Sequence, residues 1–122
     1  MREDMAVKLK NVGVEVEESI RRFSGNETLY EKFLLRFLKD DTYQKVMNAY
    51  EAGDKEEALI AAHTLKGVSA NLGLQSLFKI CSEMVIRLRE DNYEGARDLA
   101  GDLEREYRQI CGVLSQIGEG GA

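Results

Sequence analysis

The chain has 122 residues, of which 43% are hydrophobic and 32% are charged, and its formal net charge at pH 7 is -5. This length suggests one domain over residues 1–122, with a core at about 14–117 and frayed ends. The basic residues are scattered, which argues against nucleic acid binding. The sequence shows no secretory leader, and it has no apolar run of the roughly 18–20 residues that a membrane span needs. We therefore expect a cytoplasmic protein with no membrane segment.

Apolar residues at three- and four-residue steps predict helices in the first half of the chain. After a frayed "MREDM", a first short helix is predicted at about 12–23, and "GNE" ends it. The second helix is predicted in "TLYEKFLLRFLK", with an apolar stripe of Tyr30, Phe33, Leu34, Phe37 and Leu38. A third runs from near Thr42 to Ala52, and Gly53 fits the position just past its end. Its stripe is Tyr43, Val46, Met47 and Tyr50.

The same spacing predicts three helices in the second half. Asp54 and Glu57 form a capping box for the fourth, which continues to about Leu72, where Gly73 can end it. The fifth has a stripe of Leu77, Ile80, Cys81, Met84 and Leu88. Asp91 or Asn92 caps the sixth, whose stripe is Ala96, Leu99, Leu103, Tyr107, Ile110, Leu114 and Ile117.

No segment shows sustained strand-like alternation, so the predicted fold class is all-α. Helices of this length with short connections pack best as antiparallel neighbours, which predicts a four-helix bundle with short N-terminal helices. Cys81 and Cys111 occupy apolar helical positions, and we expect reduced core thiols there in preference to a disulfide.

His63, the one histidine of the chain, lies in the middle of the fourth predicted helix. At about 100° per residue, the core face of this helix lies around Ala58, and His63 points about 140° away from it. The core face comprises Ala58, Ala61, Ala62, Leu65, Val68, Ser69 and Leu72. The sector of His63 also contains Leu59, Ile60, Ala70 and Leu74, with Lys66 on one flank and Gly67 on the other. An apolar patch around an off-core histidine indicates a partner surface.

His63 could also be a residue without a function, a metal ligand or part of a catalytic triad. A lone helical histidine is often a surface residue with no role. A metal site would need three or four ligands, and this face has one histidine, no close carboxylate and no cysteine pair. A serine-type triad lacks a matching nucleophile and an orienting acid on the same face.

The segment "AHTLKGVSANLG" resembles the signature of histidine phosphotransfer (Hpt) domains, the intermediate carriers of phosphorelays. The family pattern is a helical histidine, then Leu-Lys-Gly, small residues and a second glycine. This chain supplies His63, Leu65, Lys66, Gly67, Ser69, Leu72 and Gly73 in that order. The flanking segments "LYEKFLLRFLKD", "AGDKEEALIAAH" and "LFKICSEM" resemble the neighbouring helices of the family, so the resemblance covers roughly 14–117.

The resemblance implies that the imidazole of His63 accepts a phosphoryl group from a receiver-domain aspartate and passes it to another receiver. It implies a monomeric phosphocarrier without autokinase activity, whose partners are response-regulator receiver domains and a hybrid sensor kinase. No cofactor is expected, and Mg²⁺ would belong to the acidic pocket of the receiver. Many members carry Gln or Glu at the place of Val85, so a side-chain hydrogen bond to the imidazole from this position is not expected here.

Within this resemblance, Lys66 would stabilise charge on the phosphoryl oxygens, or else be a solvated lysine. Gly67 would give the receiver steric access to His63, or else allow tight packing of a neighbouring helix. The expected docking residues are Leu59, Ile60, Ala70, Leu74, Phe78 and Ser82. For Leu74 and Phe78, ordinary helix packing is an equal alternative.

Two other functions remain open at this level. The chain could be a non-transferring helical adaptor that binds a receiver or another partner through the same patch. It could also be a domain of a larger hybrid kinase. The set of His63, Lys66 and Gly67 favours the phosphocarrier, because docking alone does not need an imidazole.

Overall fold

The computed structural model describes residues 1–120, with the side chains of 1–118, and the regular structure of this range is helical. No strand forms within it, although Val14 and Leu74 make one isolated backbone bridge. The predicted all-α class is confirmed. The helices are α1 (Glu3–Asn11), α2 (Val16–Arg22), α3 (Glu27–Arg36) with a 3₁₀ turn (Phe37–Lys39), α4 (Thr42–Ala52), α5 (Lys55–Leu72), α6 (Gln75–Arg89), α7 (Tyr93–Arg97) and α8 (Ala100–Gly120).

The limits of α4 and α5 agree with the sequence signals. The side chain of Asp54 accepts a hydrogen bond from the backbone N–H of Glu57 at 3.0 Å, so the predicted N-cap of α5 is present. Gly53 and Gly73 end α4 and α5 with φ of 69° and 73°, the left-handed conformation that glycine adopts without a Cβ penalty.

The N-terminal prediction is wrong in its boundaries. Residues 3–11, part of which was expected to be frayed, form α1, because Met5 and Leu9 lie one turn apart and are both buried. The predicted helix at 12–23 begins only at Val16. Gly13 has a φ of 84°, which interrupts the helix, and the chain then pairs with the turn between α5 and α6. There the N–H of Glu15 donates to Gly73 O at 2.8 Å, and the N–H of Gln75 donates to Gly13 O at 2.8 Å.

The sixth predicted helix is divided in two. Asn92 is the cap, since its side chain accepts from the N–H of Gly95 at 3.0 Å, and this starts the short α7. Asp91, the other predicted cap, lies in the preceding turn with a φ of 58°. The predicted stripe therefore begins on α7 with Ala96 and continues along α8 from Leu103.

The bundle consists of α3, α5, α6 and α8, which contact one another in a closed ring, while α4 packs along α5 and α1 packs against α8. Its core contains the predicted stripes, and Tyr30, Leu34, Leu65, Leu77, Met84, Leu103, Ile110 and Leu114 are among its fully buried side chains. Cys81 is buried and Cys111 half-buried, and both thiols are free. Within the described range no helix has the combined length and hydropathy of a membrane span.

Candidate functional site

The helix that carries His63 turns one face to the core and the opposite face to solvent. Of the seven predicted core positions on α5, only Val68 is half-buried and the other six are buried. His63 is exposed, as its angle of about 140° from that face predicts. The face assignment for α5 is therefore confirmed.

The N-terminal third of the chain holds the C-terminal end of α5 in place. The last carbonyl groups of a helix have no partner within it and need donors from elsewhere. The hydroxyl of Tyr30 donates to Leu72 O at 2.7 Å, and Nη2 of Arg22 donates to Ala70 O at 3.1 Å. Asp54 caps the start of the helix, so hydrogen bonds hold both ends of the helix that carries His63.

Gly67 follows His63 by one helical turn and faces solvent. A Cβ atom built at this position would find no heavy atom within 4 Å. The alternative that Gly67 allows a neighbouring helix to pack closely is therefore wrong, because no neighbour is there. The space around position 67 is open.

Lys66 lies on the flank of α5 that the sequence predicts and is half-buried. It forms no salt bridge with the side chains that the structure describes. A half-buried lysine packs part of its side chain against the protein, and no described carboxylate neutralises the ammonium group of this one. Among the side chains of residues 1–118 no group of three or more potential metal-binding residues is found.

Most of the predicted docking residues lie at least partly at the surface. Ile60 is 53% exposed, Ala70 is exposed and Leu59 is half-buried. On α6, Phe78 and Ser82 are half-buried, and the Ser82 hydroxyl donates to Phe78 O at 2.7 Å. These side chains occupy the outer faces of two helices that pack side by side.

The prediction that Leu74 is a docking residue is wrong. It is 0% exposed and cannot contact a partner directly. The angular argument placed it beside His63 as though α5 continued, but Gly73 ends the helix with a positive φ. Leu74 then turns into the core at the start of α6, where its backbone pairs with Val14.

Ile86 is an exposed residue that the sequence argument missed. It is 50% exposed and lies on the row of Phe78 and Ser82, because residues four apart lie above one another on a helix. Two residues connect α5 to α6, so residues at equal distances from this connection lie at the same height on the two helices. Ile86 is eleven residues after the start of α6, which places it level with the turn of α5 that bears Ile60 and His63. An isoleucine off the core stripe of α6 was the available signal. Val85, next to it, is 1% exposed and belongs to the core.

Comparison with known proteins assigns this arrangement to a family. A family model described as the Hpt domain matches residues 34–115, which include α5, α6 and most of α8. The chain belongs to the Hpt family. The matched region includes His63, Lys66 and Gly67.

One curated relative of this Hpt protein is the phosphorelay intermediate protein rdeA of Dictyostelium discoideum. The two are 24% identical over 86 residues, which cover 64% of this chain and 34% of the relative. The chain thus spans about a third of the length of that protein. No solved structure matches the chain at a significant level.

Proposed function

We propose that this Hpt protein carries a phosphoryl group on His63 between the aspartates of response-regulator receiver domains. The observation that carries the proposal is the exposure of the one histidine of the chain at the family motif, next to the open space at Gly67. Phosphoryl transfer depends mainly on positioning and charge stabilisation, so an accessible imidazole on a rigid helix is what the reaction requires.

The transfer needs no cofactor on this chain. The unprotonated ring nitrogen of His63 attacks the phosphorus of the receiver aspartyl phosphate. A P–N bond forms while the P–O bond to the aspartate breaks, and the carboxylate leaves with the bonding electrons. Transfer to a second receiver reverses these changes. Mg²⁺ would be held by the receiver, and no step uses ATP, so the protein would have no autokinase activity.

Lys66 would stabilise the transferring group. It follows His63 by three residues, a spacing that places two side chains on adjacent turns of one helix face. With no carboxylate partner among the described side chains, its ammonium group is available to the equatorial phosphoryl oxygens. Because those oxygens carry the charge in the transition state, this contact accelerates transfer.

The receiver would dock on an apolar surface around His63. We define this docking surface by the exposed and half-buried residues of α5 and α6, namely Leu59, Ile60, Ala70, Phe78, Ser82 and Ile86. A small patch with an apolar centre is typical of transient signalling contacts. The first donor would be the receiver of a hybrid sensor kinase, and the carrier would act as a monomer in the cytoplasm.

Transfer from a receiver phosphorylated with radioactive phosphate tests the proposal. We expect acid-labile, base-stable label on His63 and none on a His63→Gln protein of unchanged helicity. Label on any other residue would refute the role of His63. Receivers that bind without transferring would instead indicate the adaptor function.

The same assay tests Lys66. We expect Lys66→Ala to fold normally and to lose about 1–3 kcal/mol of transition-state stabilisation, or roughly 5- to 150-fold in rate. Lys79→Ala, an exposed lysine on α6, is the control for loss of surface charge. Equal transfer rates for both variants and the unmodified protein would leave Lys66 as a surface charge.

A further inference from the structure

Arg22 connects the N-terminal helices to the histidine-bearing helix. It lies on α2, outside residues 34–115 that the family model matches. Its Nη2 donates both to Ala70 O at 3.1 Å and to the Ser19 hydroxyl at 3.0 Å. Ser19 is buried and donates in turn to Glu15 O at 2.6 Å, so the guanidinium is held from two sides.

These contacts leave much of the guanidinium free. Arginine has five N–H donors, and both hydrogen bonds of Arg22 use Nη2. Its Nε and Nη1 make no hydrogen bond and no salt bridge with the side chains that the structure describes, and the residue is exposed. A planar group with a fixed orientation and free donors is suited to recognition of a carboxylate.

The position of Arg22 is at one end of the docking surface. Ala70 follows His63 by seven residues, or two helical turns, which is about 10 Å along the same side of α5. The Glu15 carboxylate lies near Arg22, and Glu18 and Lys79 also lie near Glu15. No contact within hydrogen-bond distance neutralises Arg22 among these described groups.

Long-range charge makes such a residue useful. The chain has a formal net charge of -5, so it repels, at a distance, a partner surface that carries carboxylates. A cation at the edge of the surface raises the association rate and favours partners with a carboxylate opposite to it.

We propose that Arg22 is a specificity-determining residue of this carrier, whose guanidinium pairs with a carboxylate of the docked receiver. This inference depends on the proposed function, since it names the chemistry that the same docking surface recognises. Phosphoryl chemistry at His63 itself does not involve Arg22, which lies two turns away.

Matched variants separate this role from a general loss of charge. Arg22→Gln removes the cation but keeps an amide donor for Ala70 O, and Arg21→Gln removes an exposed cation from the preceding position of the same helix. Association of each protein with a receiver is measured at low and high salt, together with transfer. Labelling of His63 by phosphoramidate, a small donor that needs no docking, is measured in parallel.

We expect Arg22→Gln to slow receiver association about two- to fivefold at low salt, with the difference disappearing at high salt. Arg21→Gln should match the unmodified protein, and all three should react equally with phosphoramidate. Unchanged association of Arg22→Gln, or equal slowing of both variants, would overturn the inference. A lowered phosphoramidate rate would also overturn it, because it would show a structural role.

The two proposals fail in different ways. Receivers that bind the unmodified protein but do not label His63 would refute the proposed function, while their association rates would still decide the role of Arg22. If no receiver binds, both proposals are wrong. Arg22→Lys, which keeps the charge but not the planar fork, should restore the salt dependence and only part of the preference between receivers.

Discussion

Among single residues, Gly67 is the one whose cost in helix stability and whose proposed role are easiest to state. Glycine within a helix is less favourable than alanine by about 1 kcal/mol, yet no packing at this position requires it. The position is open to solvent and lies one helical turn from His63. We propose that the glycine serves access to His63, at the expense of helix stability.

Gly67→Ala should raise the free energy of unfolding by up to about 1 kcal/mol, because the added methyl group meets no neighbour and alanine favours the helix. Transfer from a receiver should become slower at the same time, and Gly67→Gln should nearly abolish it. Thermal unfolding and transfer rates measure the two effects. A destabilised Gly67→Ala protein that transfers at the original rate would contradict the access role.

Ile60→Asp should weaken receiver binding by placing a charge at the centre of the docking surface. Since Ile60 is 53% exposed, we expect the midpoint of thermal unfolding to change little. Val7→Asp is the matched control, because Val7 is 49% exposed on α1 and outside this surface. Binding by titration calorimetry decides it, and equal affinities of the two variants would move the docking surface elsewhere.

At this scale the sequence predicted the side of α5 on which His63 lies, because helical geometry alone determines that angle. It misplaced Leu74, since the angular argument extended the helix past Gly73. It also omitted Ile86, whose relation to His63 depends on how α5 and α6 pack. Residue positions within one helix are predictable from spacing, whereas neighbours across two helices are not.

Among the elements, the connection between α5 and α6 has the tightest packing at a glycine. A Cβ on Gly73 would overlap the Ser19 side chain and come within 2.9 Å of Glu15 O. Gly73 and Gly53 share the same left-handed conformation, but a Cβ on Gly53 would meet nothing within 4 Å. Substitutions at these two glycines therefore distinguish the cost of backbone strain, which both share, from the cost of a steric clash, which only Gly73 has.

Gly53→Ala should lower the free energy of unfolding by about 1 kcal/mol, the cost of the left-handed conformation for a residue with a Cβ. Gly73→Ala should lower it by about 1–3 kcal/mol more, because α2 must move away from the turn. Denaturant unfolding of the two variants gives the difference. Equal losses would mean that α2 is only loosely attached to the end of α5.

Helix ends were predictable where a local signal marks them. Asp54, Gly53 and Gly73 cap their helices through contacts with residues a few positions away. The interval between α1 and α2 was not predictable, because its backbone hydrogen bonds go to Gly73 and Gln75, about 60 residues further along the chain. No local pattern contains that partner.

Across the whole molecule, we expect buried and half-buried tyrosines to make the fold sensitive to alkaline pH. Burial raises the pKa of Tyr30 from 10.0 to about 12, and it also raises the pKa values of Tyr50 and Tyr107. A raised pKa means that the folded state holds the phenolic proton more tightly than the unfolded chain does. The stabilisation is therefore complete below pH 10 and is lost as the pH rises towards 12.

We expect the free energy of unfolding to fall between pH 10 and 12, by on the order of 2 kcal/mol from Tyr30 alone. Tyr30→Phe should be less stable at pH 7 by about 1 kcal/mol, since the hydrogen bond to Leu72 O is lost. It should then lose less stability over the alkaline range. Parallel pH dependences of the two proteins would assign the alkaline transition to other groups.

The bundle as a whole was predictable because its stripes are long and regular. What the sequence could not supply is the way in which α1 and α2 attach to it, since their buried residues are few and their contacts distant. The matched family region also begins after these helices. The end of α5 nonetheless receives donors from Arg22 and Tyr30, both of which precede that region.

The bridge between Val14 and Leu74 bears on the order in which the chain folds. Because only two residues join α5 and α6, these helices can pair as soon as both have formed. The bridge instead closes a loop of about 60 residues, which costs conformational entropy. The contacts that compensate this cost can form only after the turn between α5 and α6 has folded, because Val14 pairs with Leu74 in that turn. We therefore expect α1 and α2 to pack onto the bundle after α5 and α6 have paired. Native-state opening would then begin there, so that Arg22 would leave its place before His63 loses the helix that presents it.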